Sequence, residues 1–235
     1  MIPFVVLTTI RSGSTYLTRM LNDHPNVVCN GEVFNPDDPD YSWGPEPPKT
    51  TEDMIKAAFI NYPLNGHDIH HVEAVGCKLE DVTCFYEQGR LVRLMMEPGM
   101  RFIILQRRNQ FECLRSFLQA MKTEQWQLQP GQILEPPPVI MSPMTARTFF
   151  ERAETFFGRI SVLIPPGQRI WVDYEQLVAE PDYVMSHLWK FLEVEPWKSI
   201  PHLAKIEERP LSQTVDNYGE LRMLFQGTDY SIFLP

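Results

Sequence analysis

This chain has few cysteines, no surplus of positive charge and no apolar run long enough to cross a bilayer. Each shortage excludes something. Cys29, Cys77, Cys84 and Cys113 lie far apart with no CxxC pair, so they read as reduced thiols and suit a cytoplasmic protein. A membrane-spanning helix needs about 20 apolar residues, so a protein that does not span the membrane is expected. Met1–Leu7 lacks the basic start and the length of a secretion signal, and it ends in a polar turn. A formal net charge of -9 argues against non-specific nucleic-acid binding, which draws on a basic excess. It leaves anionic small ligands open, because a few arginines and backbone amides decide those.

What is present is an alternation of short apolar runs with helical patterns. Phe4–Thr8, Ala74–Leu79, Phe102–Gln106 and Arg169–Val172 read as buried parallel strands. Helical spacing covers roughly Ser14–Asp23, Thr51–Tyr62, Glu87–Glu97, Gln110–Trp126, Ala146–Leu163 and Tyr183–Phe191. Thr50 and Thr51 ahead of Glu52 and Asp53, and Asn109 ahead of Phe111, are N-cap signals. The pattern predicts an α/β fold, a doubly wound sheet of mainly parallel strands flanked by helices, in one domain over residues 1–235. Two proline-rich segments, Asn35–Lys49 and Gln127–Pro143, read as surface loops; either they are plain connectors or they close over a ligand at the strands' carboxyl edge.

The first strand runs into Thr9-Ile10-Arg11-Ser12-Gly13-Ser14-Thr15, and a helix follows at once. Strand, small-residue turn and helix N-terminus form an anion cradle from backbone amides. Gly13 permits close backbone approach, Ser12, Ser14 and Thr15 offer hydroxyls, and Arg11 supplies charge and a fork of donors. A nucleoside-triphosphate loop would read GxxxxGK[ST], and both its leading Gly and its Lys are missing. Arg107-Arg108-Asn109 ends the third predicted strand, and Ser116 follows Arg108 by eight residues. Both can reach one anion lying against the helix between them; taken alone, they read more readily as a surface arginine pair and a helical serine.

Together the two motifs resemble the sulfotransferases that use 3′-phosphoadenosine-5′-phosphosulfate (PAPS). A third segment, Val172-Asp173-Tyr174-Glu175-Gln176-Leu177 with Pro181 beyond it, is similar to that family's late YE-x-L-x-x-x-P stretch. His24-Pro25-Asn26-Val27, Asn30-Gly31-Glu32, Val75-Gly76-Cys77-Lys78, Leu114-Arg115-Ser116-Phe117 and Arg209-Pro210-Leu211 with Gln213-Thr214-Val215 resemble the nodulation-type enzymes that sulfate lipo-chitooligosaccharides. The likeness implies a P-loop-like three-layer sulfotransferase fold. It implies that Arg11, Ser12, Gly13, Ser14 and Thr15 hold the phosphosulfate and that Arg108 and Ser116 hold the 3′-phosphate. Arg209 is implied to add a second arginine there. It further implies a carbohydrate or glycolipid acceptor, containing N-acetylglucosamine, with no metal.

Glu32 is the expected general base, since sulfuryl transfer to a sugar needs a carboxylate or imidazole in reach of the acceptor hydroxyl. Its plain alternative is a loop carboxylate or cap. Lys78, ending the second predicted strand, either reaches the transferring sulfate or is a solvated lysine. Cys84 and Arg90 have the C-x₅-R spacing of cysteine phosphatases, but the bulky Phe-Tyr-Glu-Gln-Gly between them makes a poor phosphate cradle. His67, His70, His71, Glu73 and Cys77 do not have the spacing of a familiar zinc site. Phe149, Phe150, Phe156 and Phe157 recur at helical spacing and read as core. Three rival classes remain. A kinase-like enzyme would need the absent Walker residues. A non-catalytic PAPS-binding module and a sulfotransferase of non-carbohydrate hydroxyls would share the same loop.

Overall fold

A computed structural model describes residues 1–33, 50–59, 67–81, 90–127, 135–200 and 207–235. The chain packs as two compact units, Met1–Gln106 with Arg159–Pro201, and Arg107–Gly158 with His202–Pro235.

The first unit is built on a five-stranded, all-parallel sheet. Its strands are β1 (Ile2–Thr8), β2 (Val27–Asn30), β3 (Ala74–Glu80), β4 (Arg101–Gln106) and β5 (Arg169–Asp173), in the order β2-β3-β1-β4-β5. Four of them were legible as apolar runs. The exception is β2, whose Val-Val-Cys-Asn is too short to show a period; pairing with β3 makes it a strand. β1 and β4 are neighbours, with Thr8 opposite Leu105. The chain leaves β1 toward β2 and reaches β5 after β4, so their carboxyl ends form the topological switch where ligands of open α/β sheets bind.

In the parallel register Ile2, Phe4, Val6 and Thr8 stand beside Ala74, Gly76, Lys78 and Glu80. Side chains of paired residues share one face. On that face α1 (Ser14–Asn22) contributes Leu17, Met20 and Leu21 to the core. The late helix Pro181–Leu192 adds Val184, Met185, Leu188, Trp189 and Leu192. Helix α2 (Thr51–Phe59) packs on β3 and carries the predicted cap, with Asp53 N donating to Thr50 Oγ1 at 3.1 Å. A third helix, α3, runs Arg90–Met95. Gly76 is a packing necessity: a Cβ there would lie 2.4 Å from the Phe4 ring. His24 holds the α1–β2 turn, with Nε2 against the Glu195 carbonyl at 2.8 Å and its ring beside Trp189.

The second unit contains α4 (Gln110–Thr123) and most of α5 (Pro143–Leu163), whose last turns belong to the first unit. Asn109 caps α4 as expected, accepting from Glu112 N at 3.2 Å. After β5 come α6 (Tyr174–Ala179) and α7, the Pro181–Leu192 helix, both in the first unit. The second unit then closes with α8 (Leu211–Thr214) and α9 (Tyr218–Leu224). Phe111, Phe150 and Phe225 pack ring against ring in its core. Phe150, Phe156 and Phe157 are buried, as the helical spacing predicts, while Phe149 is half-buried at the edge of the core. Among the described residues no helix is long and apolar enough to cross a membrane.

Candidate active site

The loop after β1 is folded by its own hydroxyls. Ser12 Oγ donates to the Thr9 carbonyl at 2.8 Å and contacts Thr8 Oγ1, and Thr8 Oγ1 reaches the Leu105 carbonyl at 3.1 Å. Ser12 is fully buried, so its side chain shapes the loop and its backbone is what remains for an anion. Arg11 (φ 61) and Gly13 (φ 90) are left-handed on either side of it. That alternation turns successive amides into one concavity. No side chain caps α1 at Gly13, and the first amides of a helix have no partner within it. The geometry fits a tetrahedral anion at the helix N-terminus.

A second element fixes this loop. A Cβ on Gly13 would lie 2.2 Å from Tyr174 Cε2, so the Tyr174 ring occupies the space that only glycine leaves open. Tyr174 begins α6, whose N-cap is Asp173, accepting from Gln176 N at 3.0 Å. The late tyrosine motif therefore acts on the early anion loop by direct packing.

Glu32 and Lys78 meet. The Gly31 carbonyl accepts from Lys78 N at 3.1 Å and from Val33 N at 2.9 Å, which turns the chain after β2 across the end of β3. Lys78 Nζ then lies 2.7 Å from Glu32 Oε1, with side chains only 9% and 16% exposed. Lys78, read as a candidate for the transferring sulfate, is thus placed on the candidate base. A third group joins them: Glu80, two residues beyond Lys78 on the same strand face, shares a hydrogen bond with Glu32. Burial and then the Glu32 charge push the Glu80 carboxyl up to about 8, against the pull of Lys78. Glu80 is missed by motif reading; its signal is the i, i+2 spacing from Lys78 at a strand's carboxyl end. Nearby Cys29 is a buried thiol pushed up to about 12, which makes it unreactive.

In the second unit Arg107 and Arg108 part company. Arg107 is buried and pairs with Glu112 at 3.1 Å, whereas Arg108 is exposed. Ser116 is half-buried on α4. Arg209 is gripped by Glu207, Nε to Oε1 at 2.9 Å and a terminal nitrogen to Oε2 at 2.5 Å, and it donates to the Pro136 carbonyl at 2.8 Å. Arg115, to which the sequence motifs assign no role, is almost completely buried. It pairs with Glu112 and donates to the Arg209 carbonyl at 2.8 Å, the Glu207 carbonyl at 3.3 Å and Thr214 Oγ1 at 3.3 Å. It therefore ties α4 to the 207–214 segment.

Residues 3–199 match the model of the sulfotransferase family. The chain belongs to that family. It is 32% identical over 234 residues to nodulation protein H of Rhizobium meliloti strain 1021, covering 98% of this chain and 94% of that protein. With nodulation protein H of Rhizobium tropici the identity is 30% over 233 residues, covering 98% and 92%. The fold matches a mouse sulfotransferase complexed with PAP at a TM-score of 0.51 and 9% identity, covering 99% of this chain and 87% of that one. It also matches the sulfotransferase domain of the Synechococcus PCC 7002 olefin synthase, at 0.50 and 14%, covering 99% and 86%. The likeness to nodulation-type sulfotransferases read from the motifs is the one these comparisons find. Arg209 lies beyond the residues that match the family model.

The remaining sequence-predicted groups fall elsewhere in this sulfotransferase. Cys84, loop 35–49 and residues 128–134 of loop 127–143 lie outside the described residues. His71 pairs with Asp68 at 3.1 Å, His67 faces the Pro25 carbonyl at 3.0 Å, and Cys77 is buried in β3. Among the described residues no three His, Cys, Asp or Glu side chains gather as metal ligands.

Proposed function

We propose that this sulfotransferase, working as one domain over residues 1–235 in the cytoplasm, moves a sulfuryl group from PAPS to a hydroxyl of a carbohydrate or glycolipid acceptor containing N-acetylglucosamine. The observation that carries the reading is the Glu32–Lys78 pair at the carboxyl edge of the sheet, one strand away from the anion loop. The near full-length likeness to the nodulation proteins supports the acceptor class. The PAP-bound neighbour supports the nucleotide.

PAPS supplies the sulfuryl group and leaves as 3′-phosphoadenosine-5′-phosphate (PAP). Arg11 and the amides of Ser12, Gly13, Ser14 and Thr15 hold its 5′ end and stabilise charge developing there. Preorganised donors of this kind are the usual main source of such rate enhancement. Arg108 and Ser116 hold the 3′-phosphate, with Arg209 beside them. Glu32 accepts the proton of the acceptor hydroxyl, a contribution of roughly 10²–10⁴ in rate. Lys78 keeps Glu32 ionised and brings positive charge to the sulfuryl side. No residue in this scheme needs a metal.

Two measurements test the reading. PAP should raise the melting temperature clearly and ATP much less; equal shifts would remove the nucleotide assignment. Labelled PAPS offered with glycan, lipid-linked and phenolic acceptors should label the glycan class. Transfer only to phenols would overturn the acceptor, and transfer to none would leave a binding module.

A further inference from the structure

Three ionisable side chains, Glu32, Lys78 and Glu80, meet as one buried group at the carboxyl end of β3, and the proposed chemistry uses only two of them. Glu80 is 8% exposed and Asp81 2%. Glu80 stands opposite Thr8, the residue from which the anion loop springs, and neighbouring strands are only about 4.8 Å apart. A carboxyl group so buried, beside two other carboxyl groups and an ammonium already engaged by Glu32, escapes the cost of a poorly compensated charge by keeping its proton. A protonated carboxyl is a hydrogen-bond donor, and its partner is Glu32.

We propose that Glu80 is a positioning residue for the candidate base: its protonated carboxyl donates a hydrogen bond to Glu32 and, with Lys78 on the other side, holds Glu32 ionised and aimed. The inference rests on Glu32 being the base. The assignment within the pair follows from position. Lys78 Nζ sits 2.7 Å from Glu32, favouring the charge there, while Asp81 adjoins Glu80 and disfavours a second charge. During transfer the acceptor proton goes to Glu32, and Glu80 keeps its own.

Among the charged groups acting on Glu80 are Glu32, Lys78 and Asp81. From β1 it faces Thr8, from β2 the nearest residue is Asn30, and α2 turns Ile55, Ala58 and Phe59 inward while Glu52, Asp53 and Lys56 are exposed. Ionisation of Glu80 would remove its proton from the bond to Glu32 and set two carboxylates against one ammonium. Turnover should therefore fall on the alkaline side, with its midpoint near the Glu80 titration at about 8.

Two readouts decide it. Carbon-13 NMR of glutamate-labelled protein should show one carboxyl titrating near pH 8. That signal should vanish in Glu80→Gln and move to lower pH in Glu32→Gln, where the neighbouring charge is gone. Transfer from PAPS to chitotetraose should keep at least one third of its kcat at pH 7 in Glu80→Gln, because the amide still donates, and should lose the alkaline fall. Glu80→Ala should lower kcat at least 10-fold with KM for PAPS within twofold, and Glu80→Gln should restore it. An unchanged alkaline limb in Glu80→Gln would overturn the proposal, as would full activity in Glu80→Ala. So would loss of turnover in Glu80→Gln with activity kept in Glu32→Gln, which would make Glu80 the base. If the native protein sulfates no chitotetraose, the acceptor reading fails by itself, and the NMR titration decides the carboxyl pair alone.

Discussion

Replacing Gly13 by alanine should damage the anion loop in two separable ways. The backbone there has φ 90, a left-handed conformation that costs an L-residue about 1–2 kcal/mol. The new methyl would also lie 2.2 Å from Tyr174 Cε2 and 2.4 Å from Cδ2, well inside contact distance. Overpacking of this kind costs about 1–3 kcal/mol. Gly13→Ala should thus lose about 2–5 kcal/mol in urea denaturation, and PAP affinity should fall because the loop amides shift. Tyr174→Ala removes the steric part and leaves the backbone part. In a double-mutant cycle the two substitutions should be coupled by about 1–3 kcal/mol, the double mutant being less unstable than the sum. Effects that add to within about 0.5 kcal/mol would refute the packing argument and leave the motif around Tyr174 without a physical link to the loop.

Four further outcomes are expected. Glu32→Gln should bind PAP normally by calorimetry and lose roughly 10²–10⁴ in single-turnover transfer; unimpaired transfer would remove it as base. Arg108→Ala should weaken PAP binding by about 10–150-fold and Ser116→Ala by about 2–10-fold, the range for one charged and one neutral hydrogen bond. Arg115→Met should cost about 1–3 kcal/mol in denaturation, because Glu112 keeps Arg107 but the buried carbonyls of Glu207 and Arg209 lose their donor. Stability should also fall as pH rises from about 4.5 to about 8. The raised Glu80 carboxyl keeps its proton in the native state across that window while the unfolded chain releases it, which gives a slope of up to ~1.4 kcal/mol per pH unit. Urea midpoints across that range should show the slope in the native protein and lose much of it in Glu80→Gln.

Much of the candidate site can be read along the chain because its proposed parts are local. The anion loop is a run of consecutive residues whose chemistry lies in backbone and hydroxyl groups, so Arg11 to Thr15 announce it. Arg108 and Ser116 are joined by a single strand–helix step. The structure refines both: Ser12 turns out to shape the loop from within, and of the arginine pair Arg107 is absorbed by Glu112 while Arg108 stays exposed. The strand β2 escapes sequence reading because four residues carry no period, and the sheet alone supplies its partners.

The α/β alternation, the loop, the caps at Thr50 and Asn109 and membership of the sulfotransferase family are all set by the order of the amino acids. Those depend on neighbours within a few residues, or on motif order, and both are written linearly. That Lys78 is engaged by Glu32, that Glu80 joins them and that Tyr174 fills the space Gly13 leaves open follow from the folded packing. These contacts link residues 46 to 161 positions apart. They exist because parallel pairing sets β3 beside β1 and carries the start of α6 over the loop, and burial then fixes which carboxyl keeps its proton.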